Sequence, residues 1–198
     1  SHLGFLHSSD EYKVMALAAM GRATGLDALR KHVRVLGDGR YEVAPMDLAD
    51  LFGPARRRGA PLEQRHLDLA ASLQAILEET VLAISAWLRR ASGQPQLVMA
   101  GGVALNCVMN SRVRDSGIFD AAWVQPAAGD AGTALGAALW IDGQLREQAN
   151  AVGHREADPT TPLAPRRWRM SHAYLGPSYD DESIEALLRW AKLPYERL

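Results

Sequence analysis

The sequence predicts an α/β fold in which helices cover a β-sheet, and three observations lead to it. Apolar residues recur at three- and four-residue spacings through a long central segment. Short apolar runs alternate with helical segments after it. Glycine-rich turns stand where those runs end, which is where ligands bind in sheets of this kind.

Taken in order, Gly4 to Lys13 opens without a recognisable preceding unit, as if the chain begins in mid-domain, and Val14 to Met20 reads as a short buried helix ending at Gly21. Val33 to Leu36 and Tyr41 to Val43, joined by Gly37-Asp38-Gly39, alternate like a β-hairpin. Residues 53–62 read as a loop, with Arg56-Arg57-Arg58 solvated or, alternatively, phosphate-binding. From Arg65 to Ala91 the spacing of Leu69, Leu73, Ile76, Leu77, Ile84, Trp87 and Leu88 predicts a long amphipathic helix. Glu78 and Glu79 near its middle read as solvated charges, with a site-facing carboxylate as the alternative.

Gln96 to Ala100 is then a buried strand, a helix starts near Ala104, a second strand covers Ala121 to Gln125, and a helix runs from Asp130 to Leu145. Residues 147–168, polar and rich in Pro and Arg, read as a linker. His172 to Pro177 and a helix over Asp180 to Lys192 open a further unit. No internal repeat is evident.

Composition narrows the function classes. The 198 residues carry a formal net charge of -1, so no global field favours nucleic acid. Charges and glycines interrupt the apolar stretches before the ~20 residues of a membrane span. No basic-then-apolar leader opens the chain. The single cysteine, Cys107, excludes an internal disulfide and reads as a small buried side chain. These features point to a cytoplasmic enzyme with no nucleic-acid or membrane partner. An oligomer is compatible with them.

The chemistry concentrates between Leu97 and Trp140. In Ala100-Gly101-Gly102-Val103-Ala104-Leu105-Asn106, two residues without side chains let the backbone approach a base, ribose or phosphate. Asn106 would reach the ligand from the first helical turn. Neither a Walker loop nor a GxGxxG dinucleotide loop is present. In Pro126 to Ala138, Gly129 and further small residues allow close approach, and Asp130 stands at a helix start. Asp130 is either an N-cap or a carboxylate ligand for a divalent metal beside phosphates.

Taken together, AGGVALNCVMNSRV, VQPAAGDAGTALGAAL, SSDEYKVMALAAMG and HLDLAASLQAILEETV closely resemble the O-carbamoyltransferases of nodulation-factor and antibiotic-tailoring chemistry. The likeness covers most of residues 4–145, and YLGPSYDDESIEALL resembles the entry to that family's second domain. It implies an actin/Hsp70-like (ASKHA) domain whose C-terminal half is residues 1–147, a linker at 148–170, and the start of a threonylcarbamoyl-adenylate-synthase-like α/β domain at 171–198. It further implies that carbamoyl phosphate and ATP form carbamoyl-adenylate, which passes its carbamoyl group to a hydroxyl of a small acceptor such as a sugar or aminoglycoside.

Carried over by position, Gly101, Gly102 and Asn106 would hold adenosine, with Gly129 beside them, and Asp130 would ligate the metal, iron or else magnesium. Asp10 to Lys13 would lie near ribose, phosphates or acceptor, with Glu11 and Gly21 close by. Asp10 would act as general base for the acceptor hydroxyl and Lys13 would offset phosphate charge. A surface Asp10 and an Asp10–Lys13 ion pair are the structural alternatives.

The family's His-x-x-x-His pair and Gly/Asp-rich phosphate loop have no counterpart here. His2 and His7 have the wrong spacing and segment, and His32, His66, His154 and His172 are scattered. The 198 residues alone are therefore expected to lack catalysis. Two further readings compete: half of an ASKHA sugar or acetate kinase, and a nucleotide-binding module without chemistry.

Overall fold

The computed structural model describes residues 1–153 and 170–197, which fall into two compact units, Ser1–Ile141 and Asp142–Leu198. The predicted α/β class holds, and the first unit is organised around one helix. Helix α1 (Glu11–Ala18) and helix α2 (Leu26–Arg30) precede a hairpin of β1 (Val33–Val35) and β2 (Tyr41–Val43). A short α3 (Leu48–Phe52) leads into α4 (Gln64–Ser92), which packs against α1, α2, β1 and a later helix, α5 (Cys107–Asp115). Helices α2 and α3 have no counterpart in the sequence reading, since five residues are too few to show a helical period.

Helix α4 exceeds its expected bounds by one residue at each end and has the length and composition of a membrane-crossing segment. Its surroundings instead make it a core helix. Leu69 and Ala70 join Leu3 and Leu17 of the first core cluster, while Val81 and Leu82 pack on a second cluster of Leu97, Val113 and Phe119. Gly93, in the left-handed region at φ 67°, ends the helix.

The hairpin pairs antiparallel with Val33 opposite Val43 and Val35 opposite Tyr41, as the alternation predicts. The second sheet is also two-stranded. Strand β3 (Gln96–Met99) lies parallel to β4 (Ala121–Val124), with α5 as the crossover between them. Leu97 is buried on one face, whereas Val98 and Trp123, opposite each other in register, are exposed. A parallel pair places both strand ends, and hence both glycine motifs, on the same side.

Other expectations shift. The Arg56 guanidinium, expected to be solvated or phosphate-binding, acts as a staple: its Nε donates to the carbonyl of Leu3 at 2.7 Å, another nitrogen donates to the carbonyl of Ala60, and the group lies over the Phe5 ring. Cys107 is exposed rather than buried. It opens α5 on the solvent side, and the buried stripe of that helix runs instead through Met109 and Val113, four residues apart.

Helix α6 (Thr133–Gly153) continues past the expected end at Leu145 into the expected linker 148–170, and the rest of that linker, 154–169, lies outside the described residues. In the second unit α7 (Asp181–Trp190) starts at Asp180, whose carboxylate accepts the Ser183 N–H at 2.8 Å. Ile184, Leu187 and Trp190 on α7 are exposed.

His66 makes the start of α4 sensitive to acid. Its Nδ1 accepts the backbone N–H of Glu63 at 2.9 Å, and its Nε2 is buried with no partner among the described residues. Burial, then Arg65, hold its pKa below the ordinary 6.5, against the opposing charge of Glu63. The unfolded chain takes up the proton first. Stability is thus present above pH 6.5 and lost as pH falls through that value toward the folded pKa. Tm is expected to drop between pH 7 and pH 5, with the slope flattened in His66→Asn, which accepts without titrating. A wild-type Tm constant over that interval would contradict this.

Candidate functional site

Four separated segments of the first unit meet around a cavity of about 690 Å³, within the ~300–1,000 Å³ typical of small-molecule sites. Ser8, Ser9, Glu11, Tyr12, Val14 and Met15 come from the loop before α1 and from α1 itself. Leu73, Gln74 and Leu77 come from α4. Gly102, Val103, Leu105, Asn106, Gly129 and Asp130 come from the turns that follow β3 and β4. The walls are therefore mostly apolar with polar groups at a few points, as in small-molecule sites generally.

The glycine turns fit together through the backbone. Gly101 sits at φ 100°, a conformation that side chains rarely adopt, and its N–H donates to the carbonyl of Ala128 at 2.7 Å. This bond ties the β3 turn to the β4 turn. Residues Gly102–Leu105 form a 3₁₀ turn, and Asn110 of α5 pins it by donating to the carbonyl of Ala104 at 2.8 Å. The helix therefore begins later than the sequence suggests. Asn106 is its N-cap, not a residue of its first turn, and its Oδ1 accepts the Met109 N–H at 2.9 Å.

Asp130 opens a second 3₁₀ turn, Asp130–Gly132. Its side chain does not cap the helix; the Thr133 hydroxyl donates to its backbone carbonyl instead. The carboxylate is exposed on the cavity wall with no partner among the described residues.

The expected site residues separate into two groups. Glu11, Gly102, Asn106, Gly129 and Asp130 line the cavity. Asp10, Lys13, Gly21 and Gly101 do not. Asp10 is buried and turned toward its own segment, with one oxygen on Lys13 at 2.8 Å and the other accepting the Leu6 N–H at 3.1 Å. Lys13, followed by that backbone N–H, holds the Asp10 carboxyl below the usual carboxylate range, and Asp10 in turn raises Lys13. A carboxylate stabilised in its ionised form is a weak base. Glu11 caps the adjoining turn by accepting the Ser8 N–H at 2.5 Å, while Ser8 holds a left-handed φ of 58°. Gly101 acts through its turn, and Gly21 through its contact with α4.

Gln74 is absent from the sequence-derived site, and Glu78 enters the sequence reading only as the alternative of a site-facing carboxylate. Gln74 and Asn106 exchange two amide hydrogen bonds, Nδ2 of Asn106 to Oε1 of Gln74 at 2.8 Å and Nε2 of Gln74 to Oδ1 of Asn106 at 3.2 Å. Gln74 also donates to Glu78 at 2.8 Å, and Arg112 stands 3.3 Å from that carboxylate. Glu78 is thus largely covered, its side chain 16% exposed, rather than solvated. Glu79 pairs with Arg30. The available signal was the position of Gln74 and Glu78 beside Leu73 and Leu77 on one helix face.

The sequence profile described as carbamoyltransferase N-terminus matches residues 1–139. The chain belongs to the carbamoyltransferase family. An uncharacterised protein of Synechocystis is 36% identical to it over 95% of this chain and 31% of its own length. Nodulation protein NolO of Bradyrhizobium diazoefficiens is 39% identical over 90% of the chain and 30% of its own length. Nodulation protein NolNO of Sinorhizobium fredii is 38% identical over 91% and 25%. The chain thus spans less than a third of the length of each of these relatives.

The implied metal finds too few donors here. Among the described residues no three His, Cys, Asp or Glu side chains lie together, so Asp130 alone does not make a site for iron or magnesium. No step is derived through a metal.

Proposed function

We propose that this chain supplies the nucleotide-holding part of an ATP-dependent O-carbamoyltransferase with an ASKHA-type fold. The supporting observation is that four motifs that resemble the family's, far apart in sequence, line one cavity. The adenosine portion lies over Val103, Leu105, Leu73 and Leu77, against the backbone of Gly102 and Gly129. Glu11 and Tyr12 flank the ribose. The acceptor is a hydroxyl of a small molecule.

In the reaction, water hydrolyses carbamoyl phosphate to carbamate and inorganic phosphate, and a carbamate oxygen attacks the α-phosphorus of ATP. Pyrophosphate leaves and carbamoyl-adenylate forms. The acceptor oxygen then attacks the carbamoyl carbon, AMP leaves, and the hydroxyl proton is taken up by a base. Glu11 is placed for that proton better than Asp10, because Asp10 is committed to Lys13. Asp10 and Lys13 act by fixing the start of α1, which carries Glu11 and Tyr12. Asp130 presents its carboxylate, unpartnered among the described residues, on the cavity wall, where its charge acts on the reacting groups.

Incubating the full-length gene product with ATP, carbamoyl phosphate and labelled pyrophosphate tests the adenylation. Label is expected in ATP only when carbamoyl phosphate is present. Label entering without carbamoyl phosphate, or not at all, would overturn the reading.

A further inference from the structure

The amide pair on the cavity wall has a fixed polarity. An asparagine or glutamine side chain can ordinarily present either end to a ligand, because its oxygen accepts and its nitrogen donates. Asn106 has lost that choice: as the N-cap of α5 it must direct Oδ1 at the Met109 N–H. The Gln74 amide takes the other lone pair of that oxygen, and Gln74 Oε1 takes one of the two Nδ2 hydrogens. One N–H of Asn106 is left.

Gln74 is constrained in the same way from the opposite side. Its nitrogen donates to the Glu78 carboxylate and to Asn106, which uses both of its hydrogens. Glu78 accepts from Gln74, and Arg112 beside it holds the carboxylate in place. The oxygen of Gln74 therefore faces Asn106 and keeps one lone pair unused. Both residues line the cavity, so the wall offers one donor and one acceptor about a hydrogen-bond length apart.

We infer that Gln74, set by Glu78 and Arg112, acts with Asn106 as a base-reading pair that selects a 6-aminopurine. This rests on the reading of the cavity as a nucleotide site. An edge that places an exocyclic amino donor next to a ring-nitrogen acceptor matches the pair, as adenine does. The 6-amino group donates to Gln74 Oε1, and Asn106 Nδ2 donates to the adjacent ring nitrogen. Guanine presents oxygen at position 6 and leaves Gln74 Oε1 facing another acceptor, a desolvated mismatch that disfavours binding.

The full-length gene product is titrated with ATP, GTP and purine riboside triphosphate, which lacks the 6-amino group. The wild type is expected to bind ATP at least about tenfold more tightly than either analogue, the equivalent of one lost hydrogen bond. Gln74→Leu, similar in volume, is expected to bind ATP and the purine analogue alike, with its far-UV CD and Tm near wild type. Glu78→Ala narrows the ATP preference, and Glu78→Gln, which still accepts from Gln74, restores it. A wild type that binds ATP without preference, or a Gln74→Leu variant that keeps the preference, overturns the inference. A wild type that binds no nucleotide overturns the nucleotide reading of the cavity itself. Should Gln74→Leu fail to fold, the wild-type comparison of ATP with its 6-unsubstituted analogue decides alone.

Discussion

Asp130→Asn in the full-length gene product is expected to lower carbamoyl transfer by about a hundredfold, the scale of losing one preorganised electrostatic group, with little change in Tm. The substitution keeps the size and shape of the side chain and removes only its charge. That charge has no partner among the described residues, and the adjoining turn is held by the Asp130 backbone carbonyl and the Thr133 hydroxyl. A helix cap would behave otherwise, since its carboxylate would bond the helix N–H groups and its replacement would cost stability. On the proposed reading that carboxylate acts on the ligand in the cavity. Transfer and pyrophosphate exchange should fall together, because orientation of the triphosphate precedes both steps. Wild-type rates in the variant would remove Asp130 from the site. A fall in Tm at unchanged activity per folded molecule would make it a structural residue.

Much of this arrangement was legible because it follows from period and punctuation. The 3.6-residue spacing of Leu69, Leu73, Ile76 and Leu77 shows α4, and glycines after each apolar run place Gly102 and Gly129 at neighbouring strand ends. Long-range polar geometry leaves no such trace. Nothing in the order of residues says that Gln74 meets Asn106, 32 positions away, or that Glu78 is covered by Arg112. Polar residues at the margin of an apolar stripe look the same whether they face water or a cavity. The roles of Asp10 and Glu11 also depend on a local turn: Ser8 in the left-handed region reverses the chain, so that Asp10 faces Leu6 and Lys13 while Glu11 remains at the cavity. A residue name gives no warning of that reversal, because adjacent carboxylates in a sequence are chemically equivalent until the backbone separates them. Cys107 illustrates the same limit. Its apolar neighbours suggest burial, but the helical phase set by Met109 and Val113 turns it outward.

Gly21→Ala is expected to destabilise the first unit by roughly 1–3 kcal/mol, and to weaken nucleotide binding although Gly21 does not line the cavity. A Cβ at this position would lie 2.0 Å from the carbonyl oxygen of Leu67 and 2.8 Å from the backbone nitrogen of Asp68. Both obstacles are backbone of α4, so no side-chain rotation relieves them. The chain on either side is anchored too. Leu17 is buried in the cluster with Leu69 and Ala70, while the N–H groups of Arg22 and Gly25 donate to Asp68 at 2.9 Å and Ser72 at 3.0 Å. Either α1 moves off α4 or those two bonds break. Movement of α1 carries Ser8 to Tyr12 away from Leu73 and Gln74 and opens the cavity between them. The neighbouring Met20 is 60% exposed, so Met20→Ala should change stability by less than about 0.5 kcal/mol, and it provides the control. Thermal denaturation and ATP titration of the two variants separate the effects. If Gly21→Ala matches the Met20→Ala control in both, the α1–α4 contact has room for a methyl group, and Gly21 then serves neither the packing nor the ligand. If Tm falls while ATP affinity is kept, the first turn of α1, with Glu11 and Tyr12, holds its place when the end of the helix near Gly21 shifts, which the Asp10–Lys13 pair and the Leu6 N–H bond would have to accomplish alone.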